Sequence, residues 1–142
     1  MIDRLLAQLN QWASLQSQIL AVALVGSHAR HPTHPKGTAR ADSDIDIMLI
    51  CTEPTKYLTD TSWLSEFGEV KSAEQEDWGL VQSLRVCFVD GQEVEFGFTT
   101  QEWVNTNPVD TGTIRVIRDG ARVIHDPHGL LEKLIRVITE GA

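Results

Sequence analysis

Two apolar runs, Ile19–Val25 and Ile45–Cys51, the second interrupted only by Asp46, constrain this chain more than any other feature. A strand with one wet face alternates apolar and polar residues, whereas a strand covered on both faces reads as an unbroken apolar run. The two runs therefore predict interior strands of a sheet with helices on both sides. Covering helices are available in the sequence. Ile2, Leu5, Leu6, Leu9, Trp12 and Ala13 follow helical spacing and predict an amphipathic helix over 2–17. Leu130, Leu131, Leu134, Ile135 and Ile138 supply the apolar face of a last helix, with Asp126 as its N-cap and Pro127 as its first helical residue.

The remaining elements are shorter. Segments 80–89 and 93–98 read as strands joined through Asp90-Gly91, a dipeptide that suits a tight hairpin with positive φ at both turn positions. Trp63, Leu64 and Phe67 suit a short helix capped by Asp60 or Thr61 and ended by Gly68. Thr99 with Glu102 three residues on reads as a capping box for a short helix around Trp103. Segment 121–124 reads as a strand, and 111–118 fits helix or strand equally. Helices and strands in this order predict one α+β (α/β-like) domain over 1–142, a mixed sheet flanked by helices.

Charge narrows the partners. The chain of 142 residues carries a formal charge of -8, and the excess is confined to 53–102, where eleven acids face only Lys56, Lys71 and Arg85. Proteins that grip nucleic-acid phosphates carry basic stripes, so this balance argues against a nucleic acid partner and for cationic small molecules, metal ions or a basic protein. No apolar run approaches the ~20 residues that span a bilayer. Residues 1–4 do not lead into a signal-peptide core. Cys51 and Cys87 sit inside apolar runs, so they are expected as reduced core thiols of a cytoplasmic protein.

The chemistry gathers at the ends of the two apolar runs. The first ends at Gly26-Ser27, followed by His28-Ala29-Arg30. A strand end that turns into a helical turn exposes backbone N–H groups, and a glycine lets an anion approach the backbone; Ser27 adds a hydroxyl. The second run is led by Asp44 and contains Asp46, and strand residues two apart share a face. Adjacent carboxylates repel unless a cation lies between them, and Mg²⁺ prefers such oxygens together with substrate phosphates. Segment 93–98 offers a third carboxylate on Glu93 or Glu95. Glu95 is favoured because it lies deeper in the strand with Gly97 beside it.

Gly26-Ser27, then Asp44-x-Asp46, then Glu95 on a later strand, resembles the nucleotidyltransferase superfamily with the DNA polymerase β-type fold. More narrowly it is similar to small bacterial nucleotidyltransferase-domain proteins related to antibiotic nucleotidyltransferases and to the minimal members of toxin–antitoxin pairs. The resemblance covers most of the chain, including Glu76-Asp77-Trp78-Gly79 and the stretch from Asp119-Gly120 to Asp126-Pro127. It implies a mechanism. Gly26, Ser27 and Arg30 would bind a nucleoside triphosphate such as ATP, Asp44, Asp46 and Glu95 would bind two Mg²⁺ ions, and an acceptor hydroxyl would take the nucleotidyl group with loss of pyrophosphate. Glu95 would hold the metal at the acceptor or serve as its base.

The stretch between Ser27 and Asp44 is longer than in the commoner pattern. The extra segment 31–41 carries Lys36 and Arg40 and reads as a flap over the triphosphate or a plain insertion, its charges solvated. Asp42 reads as a loop residue. His28, His31 and His34 recur every third residue, but the prolines between them oppose a zinc site. Trp63, Trp78 and Trp103 read as core or interface anchors, and His125 and His128 as surface or capping residues. Larger antibiotic-modifying relatives carry a second helical domain for which 142 residues leave no room. The acceptor, a small cationic molecule or a partner protein, is therefore expected in a homodimer, at a partner or in a shallow cleft. An antitoxin-like regulatory protein and a non-catalytic nucleotide-binding domain are the alternatives.

Overall fold

The computed structural model describes residues 2–40 and 43–141. Both apolar runs form strands at their expected bounds, β1 (Ile19–Val25) and β2 (Ile45–Cys51). Around them run α1 (Ile2–Ser14), α2 (Pro54–Thr59), β3 (Val70–Asp77), β4 (Gln82–Phe88), β5 (Glu93–Thr99), α3 (Thr111–Asp119), β6 (Ala121–His125) and α4 (Leu130–Gly141). Three 3₁₀ turns, Ser27–Ala29, Ser62–Glu66 and Gln101–Val104, complete the path. The six strands form one sheet in the order β3-β4-β5-β2-β1-β6. Every pairing is antiparallel except β2 with β5. The expected α+β architecture, a mixed sheet flanked by helices, is thus present.

Residue alternation assigns the two faces. Val22, Leu24, Ile47, Leu49, Val94, Phe96 and Phe98 point to the side covered by α1, α2 and the Ser62–Glu66 turn. An aromatic cluster fills that layer. Trp12 stacks on Trp63 at 5.2 Å, Tyr57 stacks on Phe98 at 5.5 Å, and Trp63 meets Phe96 edge-on at 5.0 Å. Such pairs add about 0.5–1.5 kcal/mol each beyond the apolar area they bury. On the other face, Ala21, Ala23, Val25, Met48 and Ile50 pack against Trp103, Ile117, Leu131, Leu134 and Ile138 from α3, α4 and the third turn. The helical cover on this second face lies over β6, β1 and β2, and the β4–β5 half beside it opens into a cavity.

Several local expectations are corrected. The first helix stops at Ser14, whose hydroxyl donates to the Gln11 carbonyl, because 14–18 offers no apolar residue to the sheet and leaves Leu15 exposed. Asp90-Gly91 does not make a turn with two positive φ values. Gly91 has φ +95°, no described non-glycine residue has positive φ, and the connection is the four-residue 89–92. Thr100 rather than Thr99 caps the third 3₁₀ turn, since Thr99 ends β5 and donates its hydroxyl to the Leu80 carbonyl. Thr61 precedes the Ser62–Glu66 turn without a side-chain cap, and Asp60 accepts from the Ser62 N–H instead. Pro127 is not the first residue of α4. Asp126 nonetheless caps that helix, accepting from the Leu131 and Glu132 N–H groups across a tight turn. Segment 111–118 resolves as helix because Asp110 caps it through the Thr113 N–H.

Cys51 is buried, and burial pushes its thiol up to about 12, as for an inert core residue; Cys87 is half-buried and also free. Among the described residues no helix is long and apolar enough to cross a membrane.

Phe98→Ala should lower unfolding free energy by about 3–5 kcal/mol in urea titrations, because it empties a site enclosed by Tyr57 and Trp63.

Candidate functional site

Strand register builds the site. β1 and β2 pair so that Val25 lies opposite Asp46, and β2 pairs with β5 so that Asp46 lies opposite Glu95. The chain leaves β1 at Gly26 with φ +72° and makes the 3₁₀ turn, Ala29 N–H donating to the Gly26 carbonyl at 3.0 Å. A Cβ on Gly26 would run into the Asp46 carboxylate. The glycine therefore serves the approach of Asp46, where the sequence suggested room for an anion. Gly120, with φ +148°, permits a second close approach. A Cβ there would lie 2.8 Å from the Ala29 carbonyl oxygen, so the start of β6 presses against the same turn. His28 Nε2 donates to the Ser43 carbonyl at 3.1 Å and ties the turn to the residue before Asp44.

The carboxylates meet in pairs. Asp46 and Glu95 are hydrogen-bonded across β2 and β5, and Asp44, one residue before β2, is hydrogen-bonded to Glu93 at the start of β5. Burial, then the charge of Glu95, pushes the Asp46 carboxyl up to about 7. The bond to Glu93 raises Asp44 and lowers Glu93. Carboxylates this close must share a proton or a cation. An all-oxygen donor set in this state fits a hard divalent ion. Among the described residues no group of three or more His, Cys, Asp and Glu is already arranged to hold an ion.

Glu95 has further neighbours that the sequence did not single out. The Ser83 hydroxyl donates to its Oε1 at 3.3 Å and itself accepts from the Trp78 indole at 3.0 Å. Arg85 Nη2 lies 3.7 Å from the same oxygen, while its Nε lies 3.5 Å from Glu76 on β3. Arg85 is one of only three bases among eleven acids, but only the pairing of β4 with β5 shows that it faces Glu95. Trp78 is 62% exposed and stands at a cavity mouth, whereas Trp63 and Trp103 are core residues as expected.

Two cavities adjoin the Asp46 row. One of about 620 Å³ lies between α3 and the open half-sheet, with Asp46 and Glu95 in its wall, Met48 and Gly97 below, and Trp78 and Trp103 beside them. Gly97 does not leave empty space. A Cβ there would press on Val81 and Met48, so the glycine lets the 78–81 turn fold inward. The other cavity, about 420 Å³, is lined by Ser27, Arg30, Lys36, Thr38, Arg40, Ser43 and Asp44. Lys36 and Arg40 thus join Ser27 at one hollow. Arg30 is committed elsewhere as well, its Nε and Nη2 donating to the Asp119 carboxylate at 3.2 and 3.3 Å. His34 also reaches Asp119, at 3.4 Å, and His31 folds onto Thr33, so the three spaced histidines do not converge. Ala41 and Asp42 lie outside the described residues.

A family model described as streptomycin adenylyltransferase matches residues 2–134. No curated protein matches the chain. A solved structure, an aminoglycoside 6-adenyltransferase from Bacillus subtilis, is 15% identical with a TM-score of 0.48; the match covers 66% of this chain and 32% of that one. The chain thus spans about a third of that protein's length.

Gly26→Ala should destabilise the fold by about 2 kcal/mol in chemical unfolding, since it adds backbone strain to a collision with Asp46. The raised Asp46 carboxyl sets a pH dependence for the protein in EDTA. Its folded value of about 7 exceeds the ordinary aspartate value of 3.8, so stability falls as pH rises from about 4 to 7, the loss being complete above pH 7 and absent below about pH 4. Asp46→Asn should therefore gain on the order of 2 kcal/mol over the parent protein at pH 8, allowing for solvent screening, and nothing at pH 4. Urea midpoints across that range measure the difference.

Proposed function

The chain belongs to the streptomycin adenylyltransferase family, and from that premise we propose that it moves an adenylyl group from ATP to a hydroxyl of a small cationic acceptor. The observation that carries the proposal is the position of Asp46. It lies between Gly26 and Glu95, with a basic hollow on one side and a cavity walled by tryptophans on the other. Residues 1–142 are taken as one catalytic domain, in the cytoplasm.

In this reading Ser27, the N–H groups of the 3₁₀ turn, Lys36 and Arg40 hold the triphosphate, each offering a donor or positive charge toward the hollow. Arg30, paired with Asp119, fixes the turn and lends its charge from behind. Asp44, Asp46 and Glu95 would hold two Mg²⁺ ions, which would supply charge stabilisation at the α-phosphoryl group and a more acidic acceptor hydroxyl. Glu95 is oriented for this by the Ser83 hydroxyl.

The acceptor is assigned to the larger cavity. Its volume falls within the ordinary range for small-molecule sites. Asp110 and Asp119 in its lining suit a cationic molecule, and Trp78 offers an exposed aromatic face. A second subunit is not required to create that space.

The proposal is tested with purified protein, ATP, Mg²⁺ and a panel of aminoglycoside acceptors that includes streptomycin, with pyrophosphate release as readout. Asp44→Asn, Asp46→Asn and Glu95→Gln should each lose more than about 100-fold in turnover with circular dichroism unchanged, because even outer partners of metal ligands are worth 10–100-fold. EDTA should abolish turnover and excess Mg²⁺ restore it. Unchanged turnover in the Asp46→Asn protein would refute the assignment.

A further inference from the structure

Arg85 has no place in the reading above, yet it touches the carboxylate on which that reading turns. It stands on β4 directly opposite Glu95 on β5. Its guanidinium is divided between two acids, Nη2 toward Glu95 and Nε toward Glu76 on the neighbouring edge strand. Its attraction reaches Asp44, Asp46 and Glu93 as well, opposing the upward shift of the two aspartates and adding to the downward shift of Glu93. The side chain is 45% exposed, so solvent rather than packed protein borders much of it. An ordinary surface ion pair contributes little and touches no reacting group. This one lies against Glu95, a carboxylate that the reading above assigns to a divalent ion.

We propose that Arg85 is a tethered counter-cation that yields Glu95 to an arriving divalent ion, and that Glu76 is the carboxylate onto which its guanidinium withdraws. The inference rests on the assignment of Asp44, Asp46 and Glu95 to metal. A guanidinium keeps its proton at any physiological pH, so it cannot yield the site by neutralising itself. It can yield only by moving, since a unit positive charge and a divalent ion on one carboxylate repel each other strongly. Glu76 already holds Nε, so a rotation of the long side chain exchanges Glu95 for Glu76 without leaving the charge unpaired. Arg85 thereby keeps the acid cluster partly neutral before the ion binds, and weakens its hold on cations in general.

The test uses Mn²⁺ and Mg²⁺ as probes on the full chain, reading the half-saturating ion concentration from calorimetric titration and from the rise in Tm. Arg85→Gln should tighten ion binding roughly three- to tenfold, and Glu76→Gln should weaken it by a similar factor. Opposite signs alone would also follow from simple charge removal, so the double variant decides. If Glu76 acts through Arg85, adding Glu76→Gln to Arg85→Gln changes nothing; if it acts only as a distant charge, its full effect persists and the inference falls. No tightening in Arg85→Gln overturns it too. Asp46→Asn separates the two levels. Loss of the ion response there, with no tightening in Arg85→Gln, sinks this inference alone. An Asp46→Asn protein that binds Mn²⁺ as the parent does, or a parent that binds none, removes the metal assignment and this inference together.

Discussion

The close approach of Asp46 to the backbone at Gly26 is the constraint on which the site depends. It exists because β1 and β2 are neighbours with Val25 opposite Asp46, and because the chain turns at the next residue with a φ that only glycine adopts freely. The parallel pairing of β2 with β5 then places Glu95 beside the same aspartate. One register row thus joins three segments far apart in sequence. Shifting any of the strands by one residue would send its carboxylate to the opposite face, into the aromatic layer. That layer, packed on Phe96 and Phe98, holds the register.

The interior of this fold was legible in the sequence and its periphery was not, for a physical reason. β1 and β2 are covered on both faces, so burial writes itself as apolar runs, broken in β2 only by Asp46, and their bounds could be read directly. β3 is the reverse case. Val-Lys-Ser-Ala-Glu-Gln-Glu-Asp is exposed almost throughout and has little strand propensity, so pairing with β4 alone makes it a strand. α2 has only Tyr57 and Leu58 to anchor it, too few for a period to show. In the site, Asp44, Asp46 and Glu95 stood out by spacing. Glu93 ranks below Glu95 by spacing alone, because the sequence does not reveal that a parallel register carries it to Asp44. Ser83, Arg85 and Asp119 were likewise hidden, since each matters through a partner on another strand or loop.

The acidic surplus of 53–102 also divides on physical grounds. Part of it sits on β3, where Glu74, Glu76 and Asp77 charge an exposed sheet edge, a usual defence against edge-to-edge pairing. Part lies on β5 within the site. Arg85 stands between these two groups and is paired with both. Arg85, the one arginine among the three bases of this region, is therefore not a random exception to its composition. It lies where repulsion between an edge strand and a carboxylate row would otherwise be greatest.

The two cavities give the Asp46 row its direction. In-line transfer requires the attacking and leaving oxygens to lie on opposite sides of the phosphorus. The hollow with Ser27, Lys36 and Arg40 has the charge to hold the leaving pyrophosphate, and the larger cavity has apolar and aromatic walls unsuited to it. Asp46 borders the larger cavity and Asp44 the basic one, with Ile45 alone between them in sequence. Asp119 adds a mechanical link, because it lines the acceptor side while gripping Arg30 and His34 on the phosphate side. In the proposed reading, this bipartite shape would set the polarity of the transfer, with Asp119 bordering the larger cavity while paired with Arg30, which lines the basic one.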